Sequence, residues 1–105
     1  MSRFFMGRMK IEDEVFARYF ADEQKLKKYG FIDTERGLWY SFDFFGGEFT
    51  AEITVEKSGK VTGRVIEKAF GEEYAALHIE TFVGGFVGSV RAEYRKALEK
   101  IERIP

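Results

Sequence analysis

The sequence predicts an α+β domain in which an antiparallel sheet of four to five strands is covered on one side by an N-terminal and a C-terminal helix, a two-layer sandwich. Three observations carry this. Apolar and polar residues alternate with period two from Leu38 through Val55. On both flanks the apolar residues instead recur at three-to-four spacing, in 11–29 and in 82–103. Twelve Phe, five Tyr and one Trp supply large flat side chains suited to a pleated surface, and the single Pro stands at position 105, where it interrupts nothing.

Residues 1–9 read as a loose leader to a single domain spanning 1–105. Ile11, Val15, Phe16, Tyr19 and Phe20 mark a helix from Ile11 to Tyr29, with Glu12, Asp13 and Glu14 suited to its first turn and Gly30 to its stop. Ala21-Asp22-Glu23 is a point where it could break in two.

Strands follow near 30–34, 38–45, 48–56 and 60–68. A Gly46-Gly47 hairpin pairs Phe44 with Phe49, Phe42 with Ala51, Tyr40 with Ile53 and Leu38 with Val55, apolar on every rung. A three-residue Lys57-Ser58-Gly59 loop with Gly in the left-handed position pairs Val55 with Val61 and sets Glu52 against Arg64 and Glu56 against Lys60. The same loop type at Glu35-Arg36-Gly37 pairs Ile32 with Tyr40. Residues 69–81 have no deciding period; a helical turn and a short fifth strand are both compatible with them. Val83, Phe86, Val87, Val90, Tyr94, Leu98 and Ile101 stripe a second long helix, Phe82 to Arg103, with Arg95–Glu99 and Glu99–Arg103 as exposed pairs. Gly84, Gly85 and Gly88 imply that it starts after Gly85 or that something approaches it closely.

Composition narrows the function. Seventeen Lys and Arg against 18 Asp and Glu give a net charge of −1, unlike the basic balance usual in nucleic-acid binders. With no Cys there is no disulfide scaffold and no thiolate metal site. The longest charge-free stretch, Thr81 to Val90, is too short to span a bilayer, and the start lacks a signal-like apolar run, so a cytoplasmic protein with no membrane partner is expected.

KKYGF (27–31), GEFTAEITVEKSGKVTGRVIEK (47–68), GEEY (71–74) and GGFVGSVRAEYRKALEKI (84–101) resemble the short members of the MmcQ/YjbR-like family over roughly residues 25–103. The most specific piece is Phe86-Val87-Gly88-Ser89-Val90-Arg91-Ala92-Glu93-Tyr94. The resemblance implies a two-layer fold like that of secretion-chaperone domains, which has also been likened to double-wing DNA-binding domains. The family is mostly of unassigned function. This chain departs from its better-known members in lacking a Pro-containing segment before the sheet.

Five groups of residues are candidates for chemistry or binding. Phe31, Trp39 and Phe45 are expected together on the sheet face opposite the apolar row, as a surface for a second copy or another protein, unless the leader or residues 69–80 cover them. Lys57, Lys60 and Arg64 form a basic hairpin wing, the nucleic-acid alternative, with Glu52, Glu56 and Glu67 opposing it. Gly84 and Gly85 with Arg91 form the anion alternative, against the reading that these glycines serve helix–sheet packing. His78, the one imidazole, is read as structural, with Glu80 as its only sequence-near partner for catalysis. Glu72-Glu73 and Glu12-Asp13-Glu14 read as a solvated turn and a dipole-matched helix start rather than acid–base pairs or a hard-cation site. The expectation is a non-enzymatic binding or interaction module with no metal and no cofactor; a DNA-binding regulator is the alternative, and a small anion-binding protein or enzyme comes third.

Overall fold

The computed structural model describes residues 10–78, the His78 side chain excepted, and 85–104. The predicted leader, residues 1–9, lies outside them. In chain order the elements are α1 (Ile11–Val15), α2 (Glu23–Tyr29), β1 (Ile32–Asp33), β2 (Gly37–Phe44), β3 (Phe49–Glu56), β4 (Val61–Glu67), β5 (Glu72–Glu73), a 3-10 turn (Ala75–His78) and α3 (Gly85–Glu102). The strands form one antiparallel sheet in the order β1-β2-β3-β4-β5.

The apolar alternation sets the layers. Leu38, Phe44, Phe49, Ala51, Ile53, Val55, Val61 and Val65 are buried on the inner face, against Val90, Tyr94, Leu98 and Ile101 of α3. The β2–β3 and β3–β4 registers are those expected, Tyr40 beside Ile53 and Val55 beside Val61. Glu52 and Arg64 meet across the outer face at 3.0 Å. Both observations follow from the period of a strand, since a slip of one residue would send this whole row to water.

Several local expectations are corrected. The N-terminal helix does break at Ala21-Asp22-Glu23, where Asp22 accepts the Lys25 N–H at 3.2 Å and starts α2, but α1 already ends at Val15. Phe20, in the segment between them, is 92% exposed rather than part of an apolar stripe. The β2–β3 turn holds four residues, 45–48, rather than two, and leaves the register unchanged. Ile32 pairs with Trp39, not Tyr40. Thr34 and Gly37 close that hairpin with reciprocal backbone hydrogen bonds of 2.7 and 3.3 Å, so the loop is Glu35-Arg36 alone. Gly37 belongs to the strand, at φ +146, and a Cβ there would collide with the Val55 carbonyl.

The undecided stretch resolves into β5, a two-residue strand, and the 3-10 turn. Helix α3 is described from Gly85 to Glu102, and Phe82, Val83 and Gly84 lie outside the described residues. Phe86 is 51% exposed, outside the buried stripe. Arg95 pairs with Glu14 of α1 and not with its helical neighbour Glu99. No helix among the described residues is long and apolar enough to cross a membrane.

Candidate functional site

The described helices all pack on the inner face, and among the described residues nothing covers the outer one. Its rows follow from the register. Ile32, Trp39, Thr54 and Thr62 make one; Ser41, Glu52 and Arg64 the next; Asp43, Thr50, Ile66 and Glu73 the third. Trp39 is half-buried and borders a depression of about 680 Å³, which Thr34, Arg36, Glu52, Thr54, Thr62 and Arg64 also line. Asp43 accepts from the Thr50 hydroxyl at 2.7 Å and from the Lys68 ammonium at 3.0 Å, and those bonds, Thr50 first, hold its carboxyl below the usual carboxylate range.

Of the three aromatic residues expected on this face, only Trp39 is there. Phe31 is 2% exposed and stacks on Tyr40 at 5.0 Å inside the core. The one-residue shift of the β1 register is the cause, since it sends Ile32 outward and its neighbour inward. Phe45 lies just past β2 with φ 55, and its ring meets Phe49 and Phe86 on the inner side at 5.8 and 5.3 Å. Ile32, 55% exposed, takes their place beside Trp39.

Lys57 and Lys60 are exposed at the β3–β4 tip, whereas Arg64 is bound to Glu52. Between Glu48 and Lys68 four bases (Lys57, Lys60, Arg64, Lys68) stand against four acids (Glu48, Glu52, Glu56, Glu67), so the wing has no net charge. Arg91 donates from Nε to the Leu77 carbonyl at 2.9 Å, tying α3 to the 3-10 turn. Gly84 lies outside the described residues, and Gly85, at φ 53, is the first described residue of α3. The His78 side chain and Glu80 lie outside them as well. Glu72 and Glu73 are exposed, as expected of a solvated pair.

Glu12 is the unexpected carboxylate. It is 1% exposed, although it stands in the first turn of a helix. Tyr94 donates its hydroxyl to Glu12 Oε2, while Oε1 has no protein partner. Burial first, and then the Glu12 carboxylate, push the Tyr94 phenol well above its ordinary range. The pair fits because it sits under Gly63, where a Cβ would come within 2.9 Å of Glu12 Oε2. Apolar periodicity counts only apolar residues and is silent about such a pair.

A second concavity escaped the sequence reading. Between β2 and α3 lies a groove of about 470 Å³, floored by Tyr29, Tyr40, Phe42 and Phe44 and walled by Lys96 and Lys100. The period-two pattern marks Tyr40 and Phe42 as inner-face residues. Their partial exposure arises because β1 covers only the first part of β2. The brevity of β1 was the missing signal.

Comparison with protein-family models, with curated proteins and with solved structures finds no match to this chain.

Proposed function

We propose that the protein is a non-enzymatic interaction module of the MmcQ/YjbR-like type, and that the outer sheet face around Trp39 packs against a second copy of the chain. The one-sided layering carries this reading: among the described residues helices lie on the inner face alone, with Trp39 and Ile32 side by side on the other. Leaving one large apolar side chain in water forfeits roughly 1.5–3 kcal/mol. The outer rows carry two ion pairs, Glu52 on Arg64 and Asp43 on Lys68, each at 3.0 Å, with Glu73 in addition. A face whose charges are mostly paired within it meets its own copy around a two-fold axis with little repulsion.

Two of the groups considered for chemistry have partners within the fold, Arg91 the Leu77 carbonyl and Glu12 the Tyr94 hydroxyl. The DNA-regulator alternative retains Lys57 and Lys60 at one tip.

Trp39 is the only Trp, so its emission reports on this face alone. Sedimentation at rising concentration is expected to show a dimer, with Trp39 emission moving to longer wavelength on dilution. Trp39→Ser is expected to yield a monomer with unchanged far-UV circular dichroism. A chain that stays monomeric at high concentration, with concentration-independent Trp39 emission, would refute the reading.

A further inference from the structure

We propose that the free edge of β2 is a strand-addition site for an extended, acidic segment of another protein, whose apolar side chains enter the groove between β2 and α3.

The edge follows from the hydrogen-bond alternation of an antiparallel ladder. Glu56 donates its N–H to the Lys60 carbonyl at 2.8 Å, and the Val65 carbonyl accepts from the Tyr74 N–H at 2.8 Å. Even-numbered residues of β3 therefore bond toward β4, and odd-numbered ones toward β2. Through the β2–β3 register, Tyr40, Phe42 and Phe44 bond to β3, and Trp39, Ser41 and Asp43 point the other way. Ile32 of β1 takes up Trp39. Among the described residues no strand pairs with Ser41 or Asp43, so two N–H and two C=O groups face outward in a row. An unpaired row of this kind is the template on which an incoming strand forms.

Directly beneath this edge is the apolar groove. The rings that floor it form a connected series: Tyr29 on Tyr40 at 5.3 Å, Tyr40 on Phe42 at 5.9 Å, Phe42 on Phe44 at 5.9 Å. Burial raises the Tyr29 phenol, and Tyr40 adds to the effect. Side chains of an added strand alternate between faces, so every second one points into this groove. Backbone pairing and side-chain pockets, the two components of strand recognition, are thus present at one place.

Charge selects the occupant: Asp43 and Glu93 also line the groove, but Lys68 and the Phe45 N–H hold their carboxylates, which leaves two lysines. Glu93 closes one end of the groove by accepting the Phe45 N–H at 3.0 Å. Lys96 and Lys100 follow at about one and two turns further along α3. Both line the groove, both are exposed, and neither is in an ion pair among the described residues. An acidic strand answers them. This chain's own leader carries Arg3 and Arg8 and would oppose them. A second copy added antiparallel through β2 would keep both helix layers on one side and turn the two Lys96–Lys100 walls toward each other.

The test uses the full chain and two synthetic peptides with blocked ends. One is an octapeptide with threonine at every second position and valine, glutamate, phenylalanine and glutamate at the others, so that apolar and acidic side chains share the groove-facing side; the other has every glutamate replaced by lysine. The acidic peptide is expected to bind at least tenfold more tightly, and to slow hydrogen exchange at the Ser41 and Asp43 amides. Ser41→Pro removes an outward N–H that β3 does not use. It is expected to weaken binding at least tenfold while leaving the thermal midpoint within a few degrees. Lys96→Glu combined with Lys100→Glu, at exposed positions, is expected to invert the preference between the peptides even if the proline variant folds poorly. Failure to bind either peptide, equal binding of both, unprotected Ser41 and Asp43 amides in the complex, or an uninverted preference would each overturn the proposal. So would protection of those amides in concentrated protein without peptide, which would assign the edge to a second copy.

Discussion

Glu12 and Tyr94 form a buried polar contact in an otherwise apolar core, and its two halves have unequal alternatives. Removing only the Tyr94 hydroxyl leaves both Glu12 oxygens buried without a protein donor. Tyr94→Phe is therefore expected to cost about 3 kcal/mol in urea unfolding, because a stranded buried carboxylate loses its compensation. Glu12→Leu combined with Tyr94→Phe removes both polar groups and is expected to recover at least about 1 kcal/mol of that loss. A double variant less stable than the single would show that the carboxylate has another donor. The phenol also sets an alkaline limit. Held above the ordinary value of 10.0 by burial and by Glu12, it keeps its proton in the folded chain where the unfolded chain releases it. Its contribution to stability is full below pH 10 and is lost as the pH rises from there toward the folded-state value. The loss approaches about 1.4 kcal/mol per pH unit. Tyr94→Phe is expected to flatten that decline; an unchanged slope would place the titration on Tyr19, Tyr29 or Tyr74, which are raised in the same direction. Sequence patterning could not reveal this pair. Tyr94 was legible as an inner-face residue, but the pocket that accepts Glu12 depends on the missing Cβ of Gly63, one strand away.

Among the elements, what was legible followed from period. The β2, β3 and β4 strands and their shared register came from alternation and from opposed charges, because a buried face penalises any slip across many residues at once. What was illegible turned on one or two local hydrogen bonds. Thr34 and Gly37 closing on each other shortened a loop and moved β1 by one residue, which carried Phe31 inside and Ile32 outside. The break before Glu23 was legible in Ala21-Asp22-Glu23, where Asp22 caps α2, but the end of α1 at Val15 was not, because apolar spacing continued to Phe20. That cap sits on a seven-residue helix, too short to be stable alone and dependent on Leu26 packing beneath it. Asp22→Ala is expected to cost about 1 kcal/mol and to raise amide exchange at Lys25 and Leu26 first. Exchange unchanged in α2, with the loss spread over the sheet, would mean that tertiary packing alone holds the helix.

For the molecule as a whole, charge sets what the nucleic-acid alternative would have to show. The net charge is −1, and the β3–β4 wing carries as many acids as bases. Lys57 and Lys60 are its two bases at the exposed tip, while Arg64 and Lys68 are held by Glu52 and Asp43. Each phosphate contact contributes about −0.9 to the slope of log affinity against log salt, so two lysines supply about −1.8. Between 50 and 200 mM salt that is a loss of roughly tenfold, against the thousandfold or more of proteins making six to ten such contacts. Titration of a labelled 20-base-pair duplex is therefore expected to show no saturable binding at 150 mM salt, and Lys57→Glu to change nothing there. At low salt any residual binding is expected to follow a slope no steeper than about −2. A slope beyond about −4 would require basic surface outside the wing, from a second copy, from residues 1–9 with their Arg3 and Arg8, or from the exposed Lys96 and Lys100 of α3. The Lys57→Glu variant would tell the first from the others, since a wing doubled by dimerisation loses two contacts on substitution and a contact on the leader or α3 loses none.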